Sequence, residues 1–298
     1  VICVPMLWLM GLSLFDALCH AMGTMATGGF STYNGSLGHF NSAAIDYVVV
    51  LFMLLAGTNF LLLYFVMLGQ PMKMLQDVEW RTYMGIILIV TALVMAFGIA
   101  NNDFPAETFG QKVSDSLRYG LFQVVAIVTT TGYGTHDFDA WNHCARGMLF
   151  ALMFVGGCAG STTGGIKIFR LQLLFRGAKS QIKKLTHPHA VLLMRFNGKP
   201  VSENAYNSIM GFFFMYIFIF ILSSISLSFF NMDFITCFSA AASAISNVGP
   251  GIGSIIGPEG NYSSLNNGAK WILSFTMLIG RLELFTILAL ISLAFWKK

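Results

Sequence analysis

Three short segments rich in glycine and threonine have the composition of a site that binds a cation through backbone oxygens. Residues 129–135 read Thr-Thr-Thr-Gly-Tyr-Gly-Thr and follow an apolar, helix-like run that begins at Gln123. Residues 26–32 and 247–251 carry related sequences, Ala-Thr-Gly-Gly-Phe-Ser-Thr and Asn-Val-Gly-Pro-Gly. Glycine allows backbone conformations that other residues resist. Converging carbonyl groups can replace the hydration shell of K⁺ without a formal charge that would trap the ion.

Each of these segments follows a short predicted helix and precedes a long apolar run. The short helices are predicted at residues 15–26, 114–128 and 233–245. The carboxyl end of a helix carries partial negative charge, and here that end meets the glycine-containing strand, where it favours a cation. One such segment is equally typical of an ordinary loop, but three in equivalent positions favour an ion filter. The candidate filter residues are Thr27, Gly28, Gly29, Phe30, Thr130, Thr131, Gly132, Tyr133, Asn247, Val248, Gly249 and Pro250.

A further glycine-rich stretch, residues 156–167, interrupts a long apolar run. Non-helical backbone at membrane depth is tolerated only where protein shields it or where it lines a wet cavity, so the break indicates a pore-lining loop. The alternative is a helix-packing site built on small residues. The candidate mobile residues of this loop are Gly156, Gly157, Gly160, Gly164, Gly165 and Lys167.

Arg281 is an ionisable residue about midway along the last apolar run, residues 269–296. An intramembrane charge is a functional hypothesis by default. Its structural alternative is a pair with Glu283 or with a loop carbonyl. Residues two apart lie on different faces of a helix, so we expect Glu283 to meet another helix instead.

Composition places the chain in a membrane. Of its 298 residues, 56% are hydrophobic and 10% are charged, whereas a soluble domain carries about 25% charged residues. We therefore expect an all-α polytopic membrane protein. No nucleophile–base set, P-loop or dinucleotide fingerprint occurs, so neither an enzyme nor a bound cofactor is predicted. Basic residues collect beside apolar runs, which disfavours nucleic acid binding, and the five cysteines form no C-x-x-C pair and are interpreted as small buried hydrophobes.

Five apolar runs are predicted to span the bilayer, at residues 42–68, 84–100, 141–175 (broken at 156–165), 206–230 and 269–296. A mixed-charge loop is predicted at residues 69–83. Residues 170–202 contain seven Lys and Arg but no Asp or Glu, which assigns them to the cytoplasmic side.

One unit is repeated along the chain: a span, a short helix, a glycine-containing strand, a polar loop and another span. We place these units at residues 1–68, 84–176 and 206–298, with a basic cytoplasmic loop at 177–205. Gly29, Gly132 and Gly249 occupy equivalent positions, 103 and 117 residues apart. Repeats around an axis along the membrane normal would bring the three strands to one centre. The apolar start at residues 1–14 is too short to cross about 30 Å of hydrocarbon, so we expect the first opening span to be truncated.

Residues 26–32, 129–135 and 247–251 resemble the filter loops of Trk-type potassium uptake proteins of the Trk/Ktr/HKT superfamily, most closely the bacterial TrkH/TrkG type. Residues 156–167 resemble that family's broken third-repeat helix, and residues 277–285, Met-Leu-Ile-Gly-Arg-Leu-Glu-Leu-Phe, resemble its last helix. The resemblance covers essentially the whole chain. It implies four repeats around a pore, of which this chain would lack the first, with the intramembrane loop as gate and Arg281 just below the filter.

The resemblance further implies a K⁺-translocating subunit in the bacterial inner membrane. It implies a homodimer, surrounded by membrane lipid, that functions together with a cytosolic nucleotide-binding regulatory subunit of the TrkA kind. Two other functions remain open at this point. A secondary transporter of another cation or solute would use broken helices at the midplane, with a pocket of polar side chains in place of bare carbonyl strands. A non-transporting membrane scaffold would have no need of three filter-like loops.

Overall fold

The protein is almost entirely helical, in a computed structural model that describes residues 2–104, 108–187, 194–253, 255–258, 260–282, 284–291 and 293–296. The first helices are α1 (Cys3–Leu9), α2 (Leu14–Met25), α3 (Ala43–Ala56), α4 (Phe60–Met67), α5 (Met72–Gln76) and α6 (Val78–Asn101). The middle helices are α7 (Phe109–Val128), α8 (His143–Leu152) and α9 (Ile168–Thr186). The last are α10 (Glu203–Ser228), α11 (Phe234–Ser246), α12 (Asn267–Arg281), α13 (Leu284–Ile291) and α14 (Leu293–Trp296).

Among the described residues, α6 and α10 are each long and apolar enough to cross a membrane, and α3 with α4 forms a further span that is bent. Their outward side chains remain apolar: Leu88 of α6 is 62% exposed and Phe214 of α10 is 68% exposed. A protein in water rarely leaves such faces uncovered, whereas a bilayer solvates them. The expected all-α polytopic architecture is confirmed.

The apolar run predicted to span the bilayer at residues 42–68 is not one helix, because α3 and α4 meet at an angle of 105°. Asn59 starts the new helix: its side-chain oxygen accepts a hydrogen bond from the Leu61 amide at 2.8 Å. Thr58 Oγ1 donates to the Leu54 carbonyl at 2.9 Å and ends the old helix. Polar side chains that bond to the nearby backbone offer it an alternative to the helix, which is why this apolar run breaks.

The predicted loop at residues 69–83 is wrong in its second half. Helix α5 lies within it, and α6 begins at Val78, where Asp77 is the N-cap and accepts from the Trp80 amide at 2.8 Å. Charges in a mixed sequence suggest a solvated loop, but here two of them belong to a helix start.

The break at residues 156–165 is present between α8 and α9. The chain leaves α8, and Val155 pairs with Ile166 in an isolated parallel bridge before α9 begins. Helix α9 continues to Thr186, beyond the predicted end at residue 175, and carries basic residues in its last turn. A short antiparallel hairpin follows, with β1 (Arg195–Phe196) paired to β2 (Lys199–Pro200).

The last apolar run is not one helix. Helix α12 ends at Arg281, with Leu282 as its C-cap, and α13 begins at Leu284. Arg281 therefore lies at the end of a helix, at a break within the apolar run, and not inside one continuous helix. Glu283 lies outside the described residues.

The short helices α7 and α11 lie at the centre of the protein. The last seven residues of α7, from Phe122 to Val128, are all buried, and so are the last eight of α11, from Ser239 to Ser246. A helix end buried on every side is surrounded by other helices. Two apolar cores achieve this, one around α3, α6, α7 and α8 and the other around α10, α11 and α12.

Candidate functional site

The three short helices end in the same way. After each helix, an amide bonds back to the carbonyl five residues earlier: Gly28 to Gly23 at 2.7 Å, Thr131 to Ala126 at 2.9 Å and Val248 to Ser243 at 3.0 Å. This is the 6→1 hydrogen bond of the Schellman motif, which ends a helix through one residue in the left-handed conformation. The shared ending turns the chain out of each helix in the same way.

The backbone that follows each helix also repeats. The left-handed residues are Thr27, Thr130 and Asn247, with φ of 50°, 51° and 57°. The glycines two positions later also have positive φ: Gly29 at 66°, Gly132 at 75° and Gly249 at 114°. Left-handed residues other than glycine are uncommon, and threonine is β-branched, so its presence there is a genuine outlier. Three copies of one strained conformation indicate a common function.

The filter segments, residues 27–30, 130–133 and 247–250, lie side by side. A Cβ built on Gly29 would be 1.8 Å from Thr131 O, and one built on Gly132 would be 1.8 Å from Val248 O. Real Cβ atoms do not approach backbone this closely, so these positions exclude any side chain. Each segment thus packs backbone to backbone against the next around a common centre.

Carbonyl oxygens of these segments are available to a ligand. In the part of the chain that the structure describes, no group donates a hydrogen bond to the carbonyls of Thr131, Gly132 or Val248. A buried carbonyl without a partner is costly, so these oxygens require water or a cation. Beside them, on the side of the polar loops that follow the segments, a cavity of ≈ 470 Å³ is lined by glycines of all three segments.

The packing around the centre is open on one side. A cavity of ≈ 640 Å³ lies beside the first and third segments and is lined by Thr27, Gly28, Phe30, Asn247 and Arg281. Phe30 is 82% exposed, in contrast to the equivalent Tyr133, which is fully buried. The open side therefore exposes filter residues that are covered elsewhere in the arrangement.

The chain segments before and after α7 meet on one side of the protein. Asp103, which precedes it, accepts hydrogen bonds from the amide of Asn142 at 3.2 Å and from its side chain at 2.5 Å. Because Asn142 follows the second filter segment, the chain returns to the side from which it entered. This is the geometry of a re-entrant pore helix.

The glycine-rich loop, residues 156–167, lies directly against the filter segments. Thr27 Oγ1 donates to Thr162 O at 2.9 Å, and Thr130 Oγ1 accepts from the Gly164 amide at 2.7 Å. A Cβ on Gly164 would be 2.4 Å from Ser246 O. The threonine hydroxyls thus hold the loop and the strands together.

The other predicted loop residues shape its fold. Gly160 and Gly165 have φ of 72° and 65°. A Cβ on Gly156 would lie 2.1 Å from Gly164 O, and one on Gly157 would lie 2.7 Å from Gly57 O. Lys167 Nζ donates to Ser161 O at 3.2 Å, which closes the loop on itself.

Arg281 reaches across the centre. Its Nη2 donates to the Ala26 carbonyl at 3.1 Å, at the carboxyl end of α2, so the last helix is joined to the first filter segment. A cation is favourable at a helix carboxyl end, whose last carbonyls lack partners within the helix. Arg281 also lines a cavity of ≈ 150 Å³ with Gly164, Gly165 and Gly280, between the loop and α12.

Two buried acids were missed by the sequence interpretation. Asp46 Oδ2 forms an ion pair with Arg118 Nε at 2.7 Å, which joins α3 to α7. Glu79 accepts from two amides near the glycine-rich loop. Asp46 stands alone in an apolar helix, which is a recognisable signal of a functional or paired charge. Glu79 gives no such signal, because it stands in a mixed-charge sequence.

Two acids at the starts of short helices, Asp233 and Asp16, were anticipated in part. Asp233 is the N-cap of α11, as expected, and accepts from the Thr236 amide at 3.1 Å. Asp16 lies in the first turn of α2 and accepts from Ser13 Oγ and Thr32 Oγ1, both at 2.6 Å. These hydrogen bonds hold the pKa of the Asp16 carboxyl below its usual range.

Helices whose carboxyl ends lead into adjacent glycine-containing segments, packed against a glycine-rich loop, are typical of a pore-loop membrane protein. A family model described as TrkH, cation transport protein, matches residues 2–297. The chain belongs to this TrkH family, which is a family of transporters and not of enzymes.

Individual relatives agree. The Trk system potassium uptake protein TrkH of Escherichia coli K12 is 34% identical over 302 residues, covering 100% of this chain and 60% of the relative. TrkI of Halomonas elongata is 37% identical over 98% of this chain and 58% of the relative. The crystal structure of the potassium transporter TrkH from Vibrio parahaemolyticus superposes with a TM-score of 0.91 at 34% identity, over 99% of this chain and 62% of that one. The chain thus spans about three fifths of the length of these relatives.

Proposed function

We propose that the chain is part of the K⁺-translocating pore subunit of a Trk-type uptake system. The observation that carries this proposal is the threefold repetition of one strained backbone conformation, whose glycines contact the neighbouring segment. Among the described residues, no group donates to its carbonyls at Thr131, Gly132 and Val248. The relatives are named potassium uptake proteins, which supports K⁺ as the transported ion.

The filter consists of residues 27–30, 130–133 and 247–250, which belong to three repeats at 1–68, 84–176 and 206–298. Carbonyl oxygens replace the hydration shell of K⁺ as it passes. A fourth segment of the same kind would close the ring between residues 27–30 and 247–250, where the structure is open. Phe30 is exposed there and would be covered by it.

The gate consists of the glycine-rich loop and Arg281. Both lie against the carboxyl ends of the short helices, at 2.7–3.1 Å from their hydrogen-bond partners there. A guanidinium close to the ion path repels K⁺, and it does not lose its proton at physiological pH. Flux therefore requires that Arg281 and the loop move aside.

The partners follow from the exposed surface. The basic residues in the last turn of α9 and the other basic residues of 177–205 belong to the cytoplasmic side, where a nucleotide-binding regulatory subunit of the TrkA kind would dock. We place the protein in the inner membrane of a bacterium, as a homodimer surrounded by lipid. The same basic residues would also contact anionic lipid headgroups.

The test is flux through the full-length transporter in liposomes. In liposomes loaded with K⁺ and measured without valinomycin, the K⁺ flux is expected to exceed the Na⁺ flux. Uptake of another solute without K⁺ flux would favour a secondary transporter. If correctly folded protein carries neither ion, with or without its regulatory subunit, the proposal is contradicted.

A further inference from the structure

Glu79 is a buried acid with two hydrogen bonds that join different parts of the gate region. It lies in the first turn of α6 and is 5% exposed. Its Oε1 accepts from the Ala159 amide at 2.6 Å and from the Phe169 amide at 3.1 Å. One carboxylate oxygen thus holds the middle of the glycine-rich loop and the first turn of α9 at once.

Glu79 shares the capping of α9 with the loop. The first amide of the helix, at Ile168, donates to Gly157 O at 3.1 Å, and the second, at Phe169, donates to Glu79. A helix start leaves four amides without partners and carries partial positive charge, which a carboxylate satisfies. Glu79 supplies that carboxylate from α6, and α9 is therefore capped by a residue that also holds the loop.

The loop is fixed on its opposite side by the bend between α3 and α4. The Cys158 amide donates to Gly57 O at 2.9 Å, and the Phe60 amide donates to Gly160 O at 3.1 Å. Residues 158–160 are therefore held from two sides. Cys158 and Gly160 bond to the bend, and Ala159, which stands between them in the chain, bonds to Glu79. Of these anchors, only Glu79 also contacts α9.

We propose that Glu79 is a positioning residue that latches the glycine-rich loop to the start of α9 and so transmits movement of α9 to the gate. The inference rests on the proposed gate function of the loop. When α9 is displaced at its basic cytoplasmic end, the carboxylate pulls the loop at Ala159. When the carboxylate is absent, the loop and α9 stay joined by the chain and by the Ile168 amide's bond to Gly157 O at 3.1 Å, but Ala159 loses its anchor and moves less closely with the helix.

Cys158 offers a readout of loop position that does not depend on flux. It is fully buried beside Ala159, and a small thiol reagent reaches it only when the loop moves. The other cysteines, Cys3, Cys19, Cys144 and Cys237, are replaced by alanine. Hydrogen bonds to a charged acceptor are among the stronger ones, so Glu79→Ala is expected to raise the labelling rate of Cys158 about tenfold.

Conservative variants separate latching from general damage. Glu79→Gln keeps an acceptor oxygen at the same reach and is expected to retain most of the protection. Glu79→Asp keeps the charge but is one methylene too short for both amides, and it is expected to label like Glu79→Ala; it serves also if the alanine variant fails to fold. Glu203→Gln, at an exposed acid in the first turn of α10, is the matched control and is expected to label like the parent.

The same substitutions are introduced into the full-length protein, which is reconstituted in liposomes. Its K⁺ flux distinguishes failure of the Glu79 proposal from failure of the gate proposal. Deletion of residues 157–164 tests the gate alone. If the deletion raises flux but folded Glu79→Ala and Glu79→Asp change neither labelling nor flux, the latch is overturned and the gate stands. If Glu79→Gln labels as fast as Glu79→Ala, hydrogen bonding is not the cause and the latch is likewise overturned. If the deletion leaves flux unchanged, the gate fails, while the labelling rates still report whether Glu79 holds the loop.

Discussion

Gly132→Ser is expected to reduce K⁺ selectivity while leaving the protein able to fold. Gly132 has φ of 75°, and a Cβ there would lie 1.8 Å from Val248 O, 2.9 Å from Val248 C and 3.0 Å from the Pro250 ring. The left-handed conformation costs a non-glycine residue about 1–2 kcal/mol. Overpacking adds about 1–3 kcal/mol.

The larger effect is geometric. A carbonyl 1.8 Å from the new Cβ must retreat by more than about 1 Å to reach an ordinary contact distance. That carbonyl belongs to the third filter segment, so the substitution displaces oxygens on two segments at once. Since about 1.4 kcal/mol corresponds to a factor of ten, we expect the K⁺/Na⁺ permeability ratio to fall by about tenfold or more.

The assay is the permeability ratio of the full-length protein in liposomes, with expression and monodispersity measured in parallel. Gly134→Ser is the matched control, because its φ is not in the left-handed region and its nearest neighbour, Pro258 O, would be 3.5 Å from the new Cβ. We expect the control to keep the parental ratio. An unchanged ratio in well-expressed Gly132→Ser would refute the filter assignment.

Three other residues test the remaining contacts, each with a second substitution for comparison. Arg281→Ala is expected to raise K⁺ flux per folded protein and Arg281→Lys to keep it low, measured on monodisperse protein; lower flux in Arg281→Ala would support a packing role instead. Asp46→Asn should destabilise the protein by about 1–3 kcal/mol in thermal unfolding, because it leaves Arg118, whose side chain is 14% exposed, without its charged partner. Asp139→Asn, at the more exposed pair with Arg146, should cost about 1 kcal/mol or less, and equal losses would contradict this. Tyr133→Phe removes hydrogen bonds to His20 O and Phe30 O and should cost about 0.5–1.5 kcal/mol with a lower permeability ratio, whereas exposed Tyr47→Phe should change neither.

The positions of the three glycine-containing segments could be predicted from the sequence because the features that set their backbone are local, while their role as a filter stays a prediction. Positive φ requires glycine, a helix end requires a short terminating sequence, and both recur in three places. The short helices predicted at residues 15–26 and 233–245 match α2 (Leu14–Met25) and α11 (Phe234–Ser246) to within about one residue. Repetition made weak local signals specific.

The bend after α3 and the role of Glu79 could not be predicted in the same way. The bend depends on Gly57, Thr58 and Asn59, which are short polar interruptions of an otherwise apolar run. Its stability comes from the loop at residues 158–160, which is about 100 residues away in the chain. Glu79 is buried only because that same loop and the start of α9 cover it. Contacts between distant segments decided both features, and no local pattern reports them.

The residues that end the short helices connect the proposed filter to the proposed gate. A glycine would adopt the left-handed conformation at Thr27, Thr130 and Asn247 without strain. These side chains must therefore contribute something that offsets the strain, and each one reaches away from its own segment. Thr27 donates to Thr162 O, Thr130 accepts from the Gly164 amide, and Asn247 donates to Met277 O of α12 at 3.1 Å. The residues that set the direction of the filter carbonyls are thus the same residues that hold the loop and the helix of Arg281. If the loop and Arg281 form the gate proposed above, its movement changes these three contacts, and the conformation of the proposed filter would be physically coupled to the position of the gate.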